Sequence, residues 1–204
     1  MSYGRGHKAD AIRRASERIL ANGFHLGLQM MIGLPHDTYE RSRQTVEDII
    51  LLGADNTRIY PTLVIKGTQL AKRYESGHYV PLDLPTALSW AKDFYLRFEA
   101  AGVNVLRVGL HASEELTPER SLLAGPYHRS FKELMMTEIW AEILAEKLNG
   151  YNHQDMILKV HPSQVNFVWG YAGKNKRFFE QKDLRVKLLT DDHIGKYEVQ
   201  VGSC

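Results

Sequence analysis

The sequence predicts an α/β fold, with parallel strands and crossover helices over residues 1–112 and a small α+β unit near the C-terminal end. Three observations carry this. Apolar runs of strand length alternate with segments of helical period through the first half, and Gly23, Gly53 and Gly77 close those helical segments. After His111 the texture changes to one strong helix followed by runs of period two.

The first helix is read over Lys8 to Asn22, where Ile12, Ala15, Ile19 and Leu20 share a stripe and the charges lie largely elsewhere. Phe24 to Ile32 is mostly apolar and ends at Gly33-Leu34-Pro35, which reads as a strand buried on both faces. Asp37 with Glu40 has the spacing of a capping box for a second helix carrying Tyr39, Val46, Ile49 and Ile50. A strand over Thr57 to Val64 follows, then a short helix from Thr68 to Ser76. Asp83 caps a longer helix with Leu84, Ala87, Leu88, Ala91, Phe94, Phe98 and Ala101 on one face, and Val103 to Leu110 is a further strand. This alternation implies parallel strands in an open sheet or part of a barrel.

Residues 113–150 read as a connector and a long helix, with Phe131, Met135, Ile139 and Ile143 at four-residue steps. Residues 151–204 read as the α+β unit. Its alternating runs at Leu184, Val186, Leu188 and at Tyr197, Val199, Val201 are expected to form a hairpin across Asp191 to Gly195.

Composition narrows the function classes. The chain has 204 residues, 44% hydrophobic and 25% charged, enough for a sizeable core. No apolar run reaches the ~18 residues of a membrane span and MSYGRGHK lacks the apolar centre of a signal peptide, so a cytoplasmic protein without membrane partners is expected. A formal charge of +2 is too small to argue for nucleic acid by bulk electrostatics. Cys204 is the only cysteine, which excludes an internal disulfide and any single-chain site built on several thiolates.

Ligands of parallel α/β folds bind beyond the carboxyl ends of the strands, which selects Gly33 to His36, Tyr60 to Thr68 and Arg107 to His111. The Gly-Arg-Gly-His run beside Arg5 and Lys8 adds a helix start suited to an anion. No histidine pair has HExxH spacing, so no dedicated metal site is expected; a TIM-type enzyme joining His7, His36 and His111 through zinc is a rival reading. GYAGKNKR lacks the spacing of a phosphate loop and reads as a turn with a solvated basic patch. A second rival is a cluster-free RNA- or protein-binding module contacting its partner through Lys174, Lys176, Arg177 and Lys182. No catalytic residue can be assigned.

GRGHK at the first helix, MMIGLP at a strand end, and RIYPTLVIKGTQL followed by Tyr74, Gly77 and Tyr79 resemble the second half of a radical S-adenosylmethionine (SAM) domain. The branch they resemble most is the catalytic subunit of Elongator and its bacterial relatives, and the Gly-Leu-Pro turn is also similar to oxygen-independent coproporphyrinogen III oxidase. The likeness spans Tyr3 to His111. His36 and Asp37 depart from it, standing where relatives often have a Gly-Glu or Gly-Gln pair.

The resemblance implies the C-terminal part of a partial (β/α)6 TIM-type barrel, followed by an accessory α+β domain. It implies SAM and a 4Fe-4S cluster in an intact parent of oxidoreductase type, in which a 5′-deoxyadenosyl radical abstracts hydrogen from substrate. The cluster needs three cysteines of a CxxxCxxC loop, so the chain is expected to be a fragment that is inert alone and binds neither cofactor tightly. By the same resemblance Arg5, Met31, Ile32, Gly33, Tyr60, Pro61 and Leu63 would line the SAM nucleoside, and Arg58, Lys66 and Arg107 would meet anionic groups of a small-molecule or RNA substrate. Missing strands would leave an apolar edge, so the expected partner is an N-terminal barrel half or a second copy in a homodimer.

Overall fold

The computed structural model describes residues 9–111, 120–152 and 154–203. The chain forms two compact units, Met1–Arg129 and Ser130–Cys204, so the long helix expected within 113–150 opens the second.

In the first unit α1 (Ala9–Ala21), β1 (Gly27–Ile32), α2 (Tyr39–Leu51) and β2 (Asn56–Pro61) lead to β3 (Val64–Ile65), α3 (Gln69–Glu75), α4 (Leu84–Ala100), β4 (Asn104–Val108) and β5 (Leu122–Ala124). Strands β1, β2 and β4 form a parallel sheet in that order. Its core joins Met30, Ile32, Ile59, Val105 and Val108 from the strands to Val46 and Ile49 of α2 and Ala87, Ala91, Phe94 and Phe98 of α4, all buried.

Helix starts follow local chemistry. The Asp83 carboxylate accepts from the Thr86 N–H at 2.8 Å to open α4, and the Thr68 hydroxyl accepts from the Ala71 N–H at 3.1 Å to open α3. Helix α2 is capped by Thr38, not by the expected Asp37: the Thr38 hydroxyl accepts from the Arg41 N–H. Asp37 is engaged by the turn before it.

Two other expectations are corrected. Strand β1 is not buried on both faces, because the helices cover only one side of the sheet; Met30 and Ile32 are buried whereas Gly27 and Gln29 are exposed. Nor is Thr57 to Val64 one strand. Pro61 has no N–H to continue the ladder, and both the N–H and the hydroxyl of Thr62 donate to the Ile32 carbonyl, at 2.9 and 2.8 Å. The chain then crosses into a second ribbon, where β3 pairs antiparallel with β5.

The second unit consists of α5 (Phe131–Lys147), β6 (Gln154–Val160), α6 (Val165–Trp169), α7 (Lys174–Gln181), β7 (Leu184–Thr190) and β8 (Val199–Ser203). The expected hairpin does not form. Strand β6 lies between the other two, parallel to β7 and antiparallel to β8. The reason is the segment 161–183, whose helices supply a parallel crossover but are too short to show a clear helical period. Trp140, Met135, Leu144 and Val168 are buried in this core with Met156 and Leu158. The Trp140 indole donates to the Gln164 side chain at 3.0 Å. The Thr137 hydroxyl accepts from the Tyr171 N–H at 2.7 Å, and the Asn175 amide donates to the Thr137 carbonyl at 3.2 Å.

Candidate functional site

Strand alternation sorts the predicted residues onto two faces. The register places Gln29 beside Arg58 and Arg58 beside Arg107, and one step on it places Met31 beside Tyr60. Gln29, Arg58 and Arg107 are exposed, Met31 and Tyr60 half-buried. These five residues therefore form the face of the parallel sheet that α2 and α4 leave uncovered. Ile32 and Pro61 lie on the opposite, helix-covered face and are buried. At the edge of the open face a nitrogen of the Arg107 guanidinium is 3.1 Å from His111 Nδ1.

The exit of β1 is held by a buckle. Gly33 turns the chain at φ +75°, and a side chain there would strike Leu82 within 2.9 Å. Its N–H donates to the Asp37 carboxylate at 2.8 Å, which also accepts from the Ser42 hydroxyl at 2.7 Å. Its carbonyl accepts from the Tyr79 hydroxyl at 2.6 Å. Burial first, and the Asp37 charge second, push the Tyr79 phenol up to about 12. The turn is thus fixed from both sides before it reaches His36, whose carbonyl accepts from the Arg41 guanidinium.

Leu63 is half-buried at the crossing between ribbons, next to Gly125, which has φ +114° and leaves no room for a Cβ beneath the Thr62 carbonyl. Lys66 is exposed beyond β3, where its N–H donates to the Ser121 carbonyl at 2.8 Å, and so belongs to the two-stranded ribbon. Arg5 and His7 lie outside the described residues. Among the described residues no group of three His, Cys, Asp or Glu side chains could hold a metal ion. Sequence reasoning gave no site role to Tyr79, Asp37 or Gln29. The two-residue step from Gln29 to Met31 was the signal for Gln29, whereas a contact 46 residues apart, as between Tyr79 and Gly33, left none.

In the second unit, Lys174, Lys176 and Arg177 lie on α7, which is helical where a turn was expected. Lys176 pairs with Glu180 at 3.9 Å, and the Lys182 ammonium sits 5.6 Å from the centre of the Phe178 ring, so the patch is partly engaged by its own helix.

Residues 54–141 match the model of the Radical_SAM C-terminal domain. Residues 54–141 are thus similar to a radical SAM C-terminal domain. Among the proteins the chain is similar to are members of the Elongator-like branch. Archaeal Elp3 of Methanocaldococcus infernus, solved with an N-terminal deletion, shares the fold with a TM-score of 0.50 at 17% identity, over 74% of this chain and 34% of that one. The tRNA uridine(34) acetyltransferase of the same organism is 28% identical over 38% of this chain. An uncharacterized protein of Methanocaldococcus jannaschii is 31% identical over 44% of this chain, and protein YhcC of Escherichia coli 26% over 39%. The matches span 28% of the Methanocaldococcus jannaschii relative, 26% of YhcC and 15% of the acetyltransferase.

The radical SAM family implies SAM and a 4Fe-4S cluster in the intact parent. The donor set here does not fit the cluster: the single cysteine, Cys204, cannot supply three thiolates. No helix among the described residues is long and apolar enough to cross a membrane.

Proposed function

We propose that this chain supplies the C-terminal wall of a radical SAM barrel of oxidoreductase type, with the open face of β1, β2 and β4 turned toward nucleoside and substrate. The observation that carries the reading is that face itself. A three-stranded parallel sheet covered by helices on one side and lined on the other by Gln29, Met31, Arg58, Tyr60 and Arg107 is what a segment of barrel wall looks like when seen alone. Met31 and Tyr60 offer the apolar and aromatic surface for a nucleoside, Arg58 and Arg107 the charge for an anionic substrate group. Ile32 and Pro61 act from behind by packing the wall against its helices, and Gly33 fixes where the wall ends.

The thiolates for the cluster come from another polypeptide segment, so radical chemistry is not assigned to residues 1–204 alone. The partner is an N-terminal barrel half or a second copy, pairing at the edge of β1, which carries no other strand among the described residues. That edge is flanked by a groove of about 340 Å³ lined by Ile12, Leu28, Ile49 and Leu51, of which Ile12 and Leu51 are exposed. The test is reconstitution of the purified chain with iron and sulfide. It should yield no stoichiometric four-iron cluster and no 5′-deoxyadenosine from SAM; formation of both by the chain alone would overturn the reading.

A further inference from the structure

The open face contains an irregularity that places two arginines side by side. Strands β2 and β4 pair Thr57 with Val105, but the next pair is Arg58 with Arg107, so the ladder skips Leu106. Such bulges are uncommon between parallel strands, and their effect is to re-aim the side chains that follow. Had the ladder run on regularly, Leu106 would stand beside Arg58, and alternation would send Arg107 into the core between the sheet and its helices. With the bulge, Val108 is buried and Arg107 is exposed on the same face as Arg58.

Like charges on directly paired strand positions oppose the sheet. Paired Cα atoms on neighbouring strands lie only about 4.8 Å apart. Among the described residues, neither guanidinium has a carboxylate partner to relieve this. Arg107 meets His111 Nδ1 instead, and since a guanidinium can only donate, that nitrogen accepts and the ring proton is placed on Nε2. The face thus offers two permanent positive charges and a ring N–H, bordered by Tyr60 and by Gln29 on the next strand.

We infer that Arg58, Arg107 and His111 form a binding site for a phosphate group of the substrate, created by the bulge at Leu106. A carboxylate would match one guanidinium and leave the second unpaired. A phosphate has the charge and the number of acceptor oxygens to engage both forks and the imidazole N–H. This deepens, and rests on, the reading of the open face as the substrate side of a barrel wall.

The test titrates inorganic phosphate into the purified chain at constant ionic strength, following its ³¹P line width and the thermal midpoint, with acetate as the comparison anion. Phosphate should broaden and should raise the midpoint more than acetate does. Arg58→Gln and Arg107→Gln should each weaken phosphate binding by about tenfold or more, Arg58→Lys should retain part of it, and Lys72→Gln on α3 should leave it unchanged. Both arginines are exposed, so the variants should keep the wild-type circular dichroism. Absence of phosphate binding, an equal response to acetate, or unaltered binding in both glutamine variants would overturn the inference. None of these readouts uses a cluster, so their failure is distinct from failure of the barrel-wall reading, which rests on reconstitution.

Discussion

At the scale of single residues, the hydroxyl of Tyr79 reaches across 46 positions of chain to the carbonyl of Gly33 and is buried doing so. Removing it in Tyr79→Phe leaves that carbonyl without its donor, a loss of about 1 kcal/mol. The pH dependence follows from the direction of the shift. The folded chain holds the phenolic proton up to about 12, the unfolded chain releases it near the ordinary value of 10.0, so the unfolded state binds fewer protons between these limits. Stability from this group is complete below about pH 10 and declines as pH rises toward about 12. Denaturant unfolding at a series of alkaline pH values should show that decline in the wild type and a shallower one in Tyr79→Phe. Equal slopes would mean that the phenol is not held by the turn. Tyr79 was legible only as part of a motif, since nothing in its neighbourhood pointed to Gly33.

Among the elements, those with strong periodicity and local caps could be read directly. Helices α2, α4 and α5 combine long apolar stripes with glycine stops or a capping residue, and local rules suffice for them. The elements between Val160 and Leu184 could not be read in this way. Helix α6 has five residues and α7 eight, and what holds them is Thr137, Asn175, Gln164 and the Trp140 indole, contacts that exist only after α5 has packed. The same crossover converts an expected hairpin into the order β7-β6-β8. Trp140 is fully buried, so Trp140→Ala should cost the second unit about 3–5 kcal/mol. Thermal unfolding followed by near-ultraviolet circular dichroism would measure it; a loss below about 1 kcal/mol would show that the helical segment does not depend on that contact.

For the molecule as a whole, the proposed partner at the β1 edge makes a measurable claim. Sedimentation velocity at rising concentration should show self-association, and Ile12→Glu, which places a charge in the exposed groove beside Leu28, should weaken it. A concentration-independent monomer would argue for the N-terminal barrel half as partner instead. The sequence by itself determined the alternation of strands and helices, the resemblance to radical SAM domains through RIYPTLVIKGTQL, and the lack of thiolates for a cluster, because these depend on local pattern and on residue identity alone. Only the tertiary structure decided which face of each strand is open and that RIYPTLVIKGTQL is split between two sheets. It alone brought Arg107 next to Arg58, through the bulge at Leu106. A strand's exposed side is set by what packs on the other, and a ladder's register by its neighbour, and neither is written within the strand's own residues.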